Sequence, residues 1–149
     1  QSLKHSQLVV IGDGPEKQKV ENFALKNPSI NYLGKLQYSE VLENLSKSHI
    51  FVLPSLRQEG LPMSIVEAMF CKSVVVASDV GGISDAVEDK ITGYLVEQGN
   101  LNHLETSLTE LITNQALREQ LSANAYQKAQ KDFTSAIMYQ KYMEVINSL

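Results

Sequence analysis

An α/β architecture, with a parallel sheet covered by helices on both faces and closed by a helical C-terminal tail, is predicted by three observations. Short β-rich runs bounded by Gly, Pro, Asn or Asp recur before Glu97, amphipathic stretches fill the intervals between them, and no strand signal returns afterwards. Strands separated by helices are joined by crossovers, which run them parallel.

Taken in order, the first strand is read over Gln7–Ile11 and leads through Gly12-Asp13-Gly14-Pro15 into a helix over Glu16–Lys26, with Pro15 suited to the first helical position. The second strand is Ile30–Leu33, and Ser39 and Glu40 open the next helix, to Ser48, much as capped helices open. His49–Leu53, Ser73–Ala77 and Tyr94–Val96 are the remaining strands, with helices over Met63–Phe70 and Ile83–Val87 between them. Three helices, Leu101–Thr113, Gln115–Gln130 and Ser135–Asn147, form the tail, in which Tyr126, Tyr139 and Tyr142 are expected to pack rather than to stack on bases. Ser2–Ser6 reads as the end of a preceding helix. A strand and most of a helix are therefore expected ahead of Gln7, and Gln1 in place of Met fits a segment of a longer polypeptide. With no repeat, low-complexity stretch or long linker, residues 1–149 are read as one N-terminally truncated domain.

Composition narrows the function. The 149 residues hold 13 Lys and Arg against 17 Asp and Glu, a net charge of −4, so no general basic field exists to hold nucleic acid or an anionic membrane. The longest apolar runs, Ile50–Pro54 and Val74–Ala77, fall far short of the roughly 20 residues a membrane-spanning helix needs. The single cysteine, Cys71, excludes an internal disulfide framework and a multi-cysteine metal site and fits a reducing compartment, with the cytoplasm as the expected location. His5, His49 and His103 lack metal-ligand spacing, so no metal is expected. Cys71 has no evident activating base and reads as a buried structural cysteine.

In an open parallel sheet, ligands sit beyond the C-terminal ends of the strands, so the loops there are the informative segments. Gly12 and Gly14 permit close backbone approach, although Lys17 stands where a dinucleotide fingerprint needs its third glycine, and no P-loop Lys follows. A plain strand-to-helix turn is the competing reading. Gly34-Lys35-Leu36 follows the second strand; its glycine lets a flat ring lie on the backbone, and Lys35 either reaches a phosphate or is simply solvated.

The third loop carries most information. In Pro54-Ser55-Leu56-Arg57-Gln58-Glu59-Gly60-Leu61-Pro62-Met63-Ser64-Ile65-Val66-Glu67, a helix starting at Pro62 or Met63 has Glu59 ahead of it and Glu67 about one turn inside. The helix N-terminus, with unpaired N–H groups and partial positive charge, suits a phosphate oxygen. Acceptor-only carboxylates beside it suit hydroxyl donors such as a ribose diol and a hexose ring. Phosphate, ribose and sugar together describe a nucleotide sugar. The alternative is that Glu59 is a surface loop charge and Glu67 an exposed helical residue in ordinary ion pairs. Ser55 and Ser64 lack the context of a nucleophile elbow. The Gly81-Gly82 pair after the fourth strand is either a further phosphate-like cradle or a tight turn.

The order of these motifs resembles the C-terminal, donor-binding domain of family 4 retaining glycosyltransferases, which have the glycosyltransferase B fold. LVVIGDGPE resembles the family's first turn, INYLGKL its nucleotide loop, HIFVLPSLRQEGLPMSIVEAM its E-x7-E signature, SDVGGISDAV its glycine pair and KITGYLV the short strand after it. The resemblance covers over nine tenths of the chain, from about Leu8 to the end. It implies one Rossmann-like half of a two-domain enzyme, the acceptor-binding half lying N-terminal to this chain in the same polypeptide. By the resemblance, Glu67 binds the ribose hydroxyls and Glu59, the catalytic candidate, lies near the transferred sugar. Backbone groups of Gly60, Leu61, Pro62, Met63 and Ser64 hold sugar and diphosphate, Gly34, Lys35 and Leu36 meet the base, and Gly12 and Gly14 line the nucleotide site.

The implied reaction is metal-independent hexosyl transfer, with retention, from a nucleotide-diphosphate sugar, UDP- or GDP-linked ahead of other bases, to a glycan or lipid-linked acceptor. It needs no separate cofactor, and it is compatible with peripheral association at the cytoplasmic membrane face through the rest of the polypeptide. Departures also stand out. The family's Arg and Lys that clamp the diphosphate would precede Gln1, Lys72 and Val74 stand where Gly and Pro are frequent, and Asp85 replaces a usual Glu. A non-catalytic nucleotide-sugar-binding subunit of a two-chain transferase is the alternative function. A flavodoxin-like signalling domain is disfavoured, because the first strand ends in Gly12-Asp13-Gly14 rather than in a carboxylate cluster.

Overall fold

The computed structural model describes residues 6–148 and carries the elements in the expected order. They are β1 (Leu8–Ile11), α1 (Lys17–Lys26), β2 (Ile30–Gly34), α2 (Tyr38–Lys47), β3 (Ile50–Leu53), α3 (Met63–Phe70), β4 (Val74–Ser78), α4 (Ile83–Ala86), β5 (Gly93–Val96), α5 (Leu101–Thr113), α6 (Gln115–Asp132) and α7 (Ser135–Asn147). The helix end expected over Ser2–Ser6 lies, apart from Ser6, outside the described residues. The chain divides into two compact units, one ending at Asn44 and the other beginning at Leu45.

All strand pairing is parallel, and helices flank the sheets, but the hydrogen bonds form two ladders, β1-β2 and β3-β4-β5. Alternation of strands and helices dictates parallel crossovers; it does not dictate which strands are neighbours. In the N-terminal unit Leu8 pairs with Ile30, and the register shifts between Val10 and Ile11, so that Ile11 meets Gly34. That shift brings the two strand ends level. Gly12 N–H donates to the Gly34 carbonyl at 2.8 Å, and the Tyr32 hydroxyl donates to the Gly12 carbonyl at 2.8 Å.

In the C-terminal unit, β4 is central and wholly buried, as a Val-rich strand covered on both faces must be. Val74 and Val76 pack with Tyr94, Val96, Leu111 and Leu121 into a core that Ile50, Leu104, Leu108 and Leu117 surround. The β4 entrance is tied down by Ser73, whose hydroxyl lies 2.9 Å from the Leu45 carbonyl and 2.8 Å from that of Ser48. Asn100, Asn114 and Thr134 cap α5, α6 and α7 with side-chain oxygens that accept from backbone N–H groups.

Two expectations about the tail divide. Tyr126 packs edge-on against Phe70 with ring centroids 6.4 Å apart. Tyr139 and Tyr142 do not pack: they are exposed, with Met138, Val145 and Ile146, on a helix with no buried residue. Amphipathic spacing marks the apolar side of α7, and no described element covers that side.

Candidate functional site: the E-x7-E corner

The loop after β3 and the start of α3 form one corner of the C-terminal unit. Pro62, with extended backbone, is the N-cap of α3 and supplies no capping side chain, so the helix begins at Met63, as its sequence predicts. The Ile65 N–H bonds back to the Pro62 carbonyl at 3.0 Å, which leaves Met63 and Ser64 to present the N–H groups of the helix end. Ile65, Val66, Ala68 and Met69 are buried and anchor α3. Helical spacing then places Met63, Glu67 and Phe70 along the opposite side, with the Glu67 side chain half-buried. Gly60 is open, with nothing within 4 Å of where a Cβ would stand, so a ligand can approach its backbone.

Glu59 is held at two points. Its carboxylate accepts a hydrogen bond from the Ser55 hydroxyl at 3.0 Å, and its carbonyl accepts one from Gly82 N–H at 3.0 Å. The second bond requires backbone-to-backbone contact: a Cβ on Gly81, whose φ is +54°, would stand 1.9 Å from the Glu59 carbonyl oxygen, and one on Gly82 would stand 3.0 Å from the Gly60 oxygen. Of the two readings of the Gly81-Gly82 pair, a phosphate-like cradle or a tight turn, the first loses the Gly82 donor, which is engaged by Glu59. Neither Glu59 nor Glu67 has a cation within ion-pair distance among the described residues, so the ordinary ion pairs weighed from the sequence do not form.

Cys71, the C-cap of α3, is half-buried rather than buried. Burial pushes its thiol pKa up, and the charge of Glu67 adds to the rise, so it stays a thiol. No cluster of three or more His, Cys, Asp and Glu that could hold a metal occurs among the described residues.

The remaining candidates lie in the N-terminal unit. Gly12 and Gly34 adjoin through their hydrogen bond, and both are open where a Cβ would stand. The Gly14 carbonyl accepts from Lys17 N–H at 3.0 Å, which starts α1. Lys35 is exposed and Leu36 half-buried.

A cavity of about 90 Å³ lies at the C-terminal ends of β3, β4 and β5, lined by Pro54, Leu56, Ser78, Val96 and Leu104 among others. The larger concavity, about 420 Å³, is an open groove along α5 between Glu105 and Thr113 and includes none of the strand-end residues. The strand-end position is where open parallel sheets bind ligands. Sequence reasoning missed Ser55 as a partner of Glu59; the available signal was a hydroxyl four residues before a loop carboxylate.

Comparison with known proteins identifies the family. Residues 1–128 match the model of the glycosyl transferases group 1 family, and the chain belongs to that family. It is 38% identical over 134 residues to an uncharacterized glycosyltransferase of Methanocaldococcus jannaschii, covering 89% of this chain and 36% of that protein. It is 30% identical over 138 residues to the N,N'-diacetylbacillosaminyl-diphospho-undecaprenol alpha-1,3-N-acetylgalactosaminyltransferase of Campylobacter jejuni, covering 92% of this chain and 36% of that one. The Anabaena protein HepE, solved in complex with UDP, superposes with a TM-score of 0.86 at 22% identity over 98% of this chain and 42% of its own, and the shared fold is that of a Rossmann-like C-terminal domain of the glycosyltransferase B type. The chain therefore spans little more than a third of the length of these two curated relatives.

Proposed function

We propose that this chain is the donor-binding half of a retaining, metal-independent glycosyltransferase that moves a hexosyl group from a nucleotide-diphosphate sugar to a glycan or lipid-linked acceptor. The observation that carries the reading is the E-x7-E corner, where Glu59 and Glu67 stand before and within an α3 whose N-cap supplies no capping side chain. The diphosphate meets the N–H groups of Met63 and Ser64, where the helix end favours negative charge as the bond to the anomeric carbon breaks. Glu67 accepts from the ribose hydroxyls, and Glu59 from hydroxyls of the transferred sugar. The acceptor half belongs to the same polypeptide, N-terminal to this chain.

Support for a nucleotide-sugar donor comes from HepE, which has been solved with UDP and with UDP-glucose. A lipid-linked acceptor is supported by the Campylobacter relative, whose name specifies one. The donor is UDP- or GDP-linked; a Corynebacterium glutamicum relative, 25% identical, is named as GDP-mannose-dependent. The test is calorimetric titration with UDP, GDP and ADP and their sugar conjugates in the absence of metal. Selective saturable binding of one nucleotide supports the proposal. Absence of binding by both this chain and the full-length polypeptide removes it.

A further inference from the structure

We propose that Ser55 and the Gly81-Gly82 pair are positioning residues that fix Glu59 for the transferred sugar, an inference that rests on the reading of Glu59 given above. Glu59 lies in an irregular loop, and its side chain has no ion pair among the described residues to orient it. A glutamate in such a loop would ordinarily sample many rotamers. Here the Ser55 hydroxyl donates to Oε1 in a partly buried setting, which orients the carboxylate and leaves Oε2 to accept from a sugar hydroxyl.

The main chain is fixed separately. Gly82 N–H holds the Glu59 carbonyl, and Gly82 is the N-cap of α4, whose Ile83 and Ala86 are fully buried. Gly81 reaches this contact only because it has no Cβ. The loop bearing the sugar-facing carboxylate is therefore fastened to the rigid core at its backbone and oriented by Ser55 at its carboxylate. The residues involved act through Glu59, and none of these hydrogen bonds reaches Glu67 on α3.

The test uses the full-length polypeptide and compares binding of the bare diphosphates UDP and GDP with that of UDP-glucose and GDP-mannose. Ser55→Ala is expected to weaken the sugar conjugate at least about fivefold while leaving diphosphate affinity within about twofold, and Ser55→Thr is expected to restore it. Gly81→Ala is expected to give the same selective loss. In a Glu59→Ala background, Ser55→Ala should add nothing, because residues acting through one group are not additive.

If Glu59→Ala weakens the conjugate selectively but Ser55→Ala does not, the positioning role is overturned and the reading of Glu59 survives. If Glu59→Ala leaves conjugate and diphosphate alike unchanged, the reading of Glu59 fails and the positioning role fails with it. Equal loss for diphosphate and conjugate in Ser55→Ala, unrepaired by Ser55→Thr, marks a merely structural residue and also overturns it.

Discussion

Tyr94, in β5, donates its phenolic hydroxyl to the Glu110 carboxylate of α5 at 2.7 Å and so ties the helical tail to the edge of the three-stranded sheet. Burial, then the hydrogen bond and charge of Glu110, then the charge of Asp89, push the phenol from 10.0 up to about 12. The raised value favours the protonated form in the folded state. Its contribution is complete below about pH 10 and is lost as pH rises through about 12. Urea unfolding of the parent should lose stability across that window, and Tyr94→Phe should flatten the slope. At neutral pH the same substitution should cost about 1 kcal/mol, because the exposed Glu110 can rehydrate. An unchanged slope in Tyr94→Phe would contradict this assignment.

Lys72 ends α3 in the left-handed conformation, with φ +61°. Its N–H bonds to the Met69 carbonyl at 3.1 Å and that of Ser73 to the Ala68 carbonyl at 2.9 Å, the pattern that ordinarily has glycine in the left-handed position. The conformation costs a side-chain-bearing residue about 1–2 kcal/mol. Part is offset by the Ser122 hydroxyl, which donates to the Lys72 carbonyl at 2.7 Å, and by the ammonium 4.9 Å from the Tyr126 ring centroid. Lys72→Gly should therefore raise the urea midpoint by the equivalent of about 0.5–1 kcal/mol. A lowered midpoint would mean that the contact with Tyr126 outweighs the backbone strain.

The tail should divide sharply in its contribution to stability. Leu121 is 1% exposed and packs in the core, so Leu121→Ala should cost about 2–5 kcal/mol. Truncation after Phe133 removes α7, which has no buried residue, and should cost less than about 1 kcal/mol. Comparable losses in the two variants by urea unfolding would refute the division.

Much of this was legible in sequence because it depends on local rules. Pro62 followed by a dense apolar run located the start of α3, and the positions of Glu59 and Glu67 around it followed from spacing alone. Lys72 was legible as a departure from glycine and is strained where that departure falls. What escaped was pairing in space. The bond from Gly82 to Glu59 depends on which loops lie side by side, and Ser55 finds Glu59 through a turn without periodicity. Tyr139 and Tyr142 were misread because an amphipathic pattern shows which side of a helix is apolar, not whether anything covers it.

The most direct test of the central claim is the change in nucleotide affinity on Glu67→Ala, measured by calorimetry with the full-length polypeptide whose fold is verified by circular dichroism. Loss of charge-assisted hydrogen bonds to the ribose, worth about 1.5–3 kcal/mol, predicts weakening of at least about tenfold for both the nucleoside diphosphate and its sugar conjugate. Unchanged affinity in a folded variant would remove Glu67 from the site and contradict the account of the E-x7-E corner as the donor-binding centre.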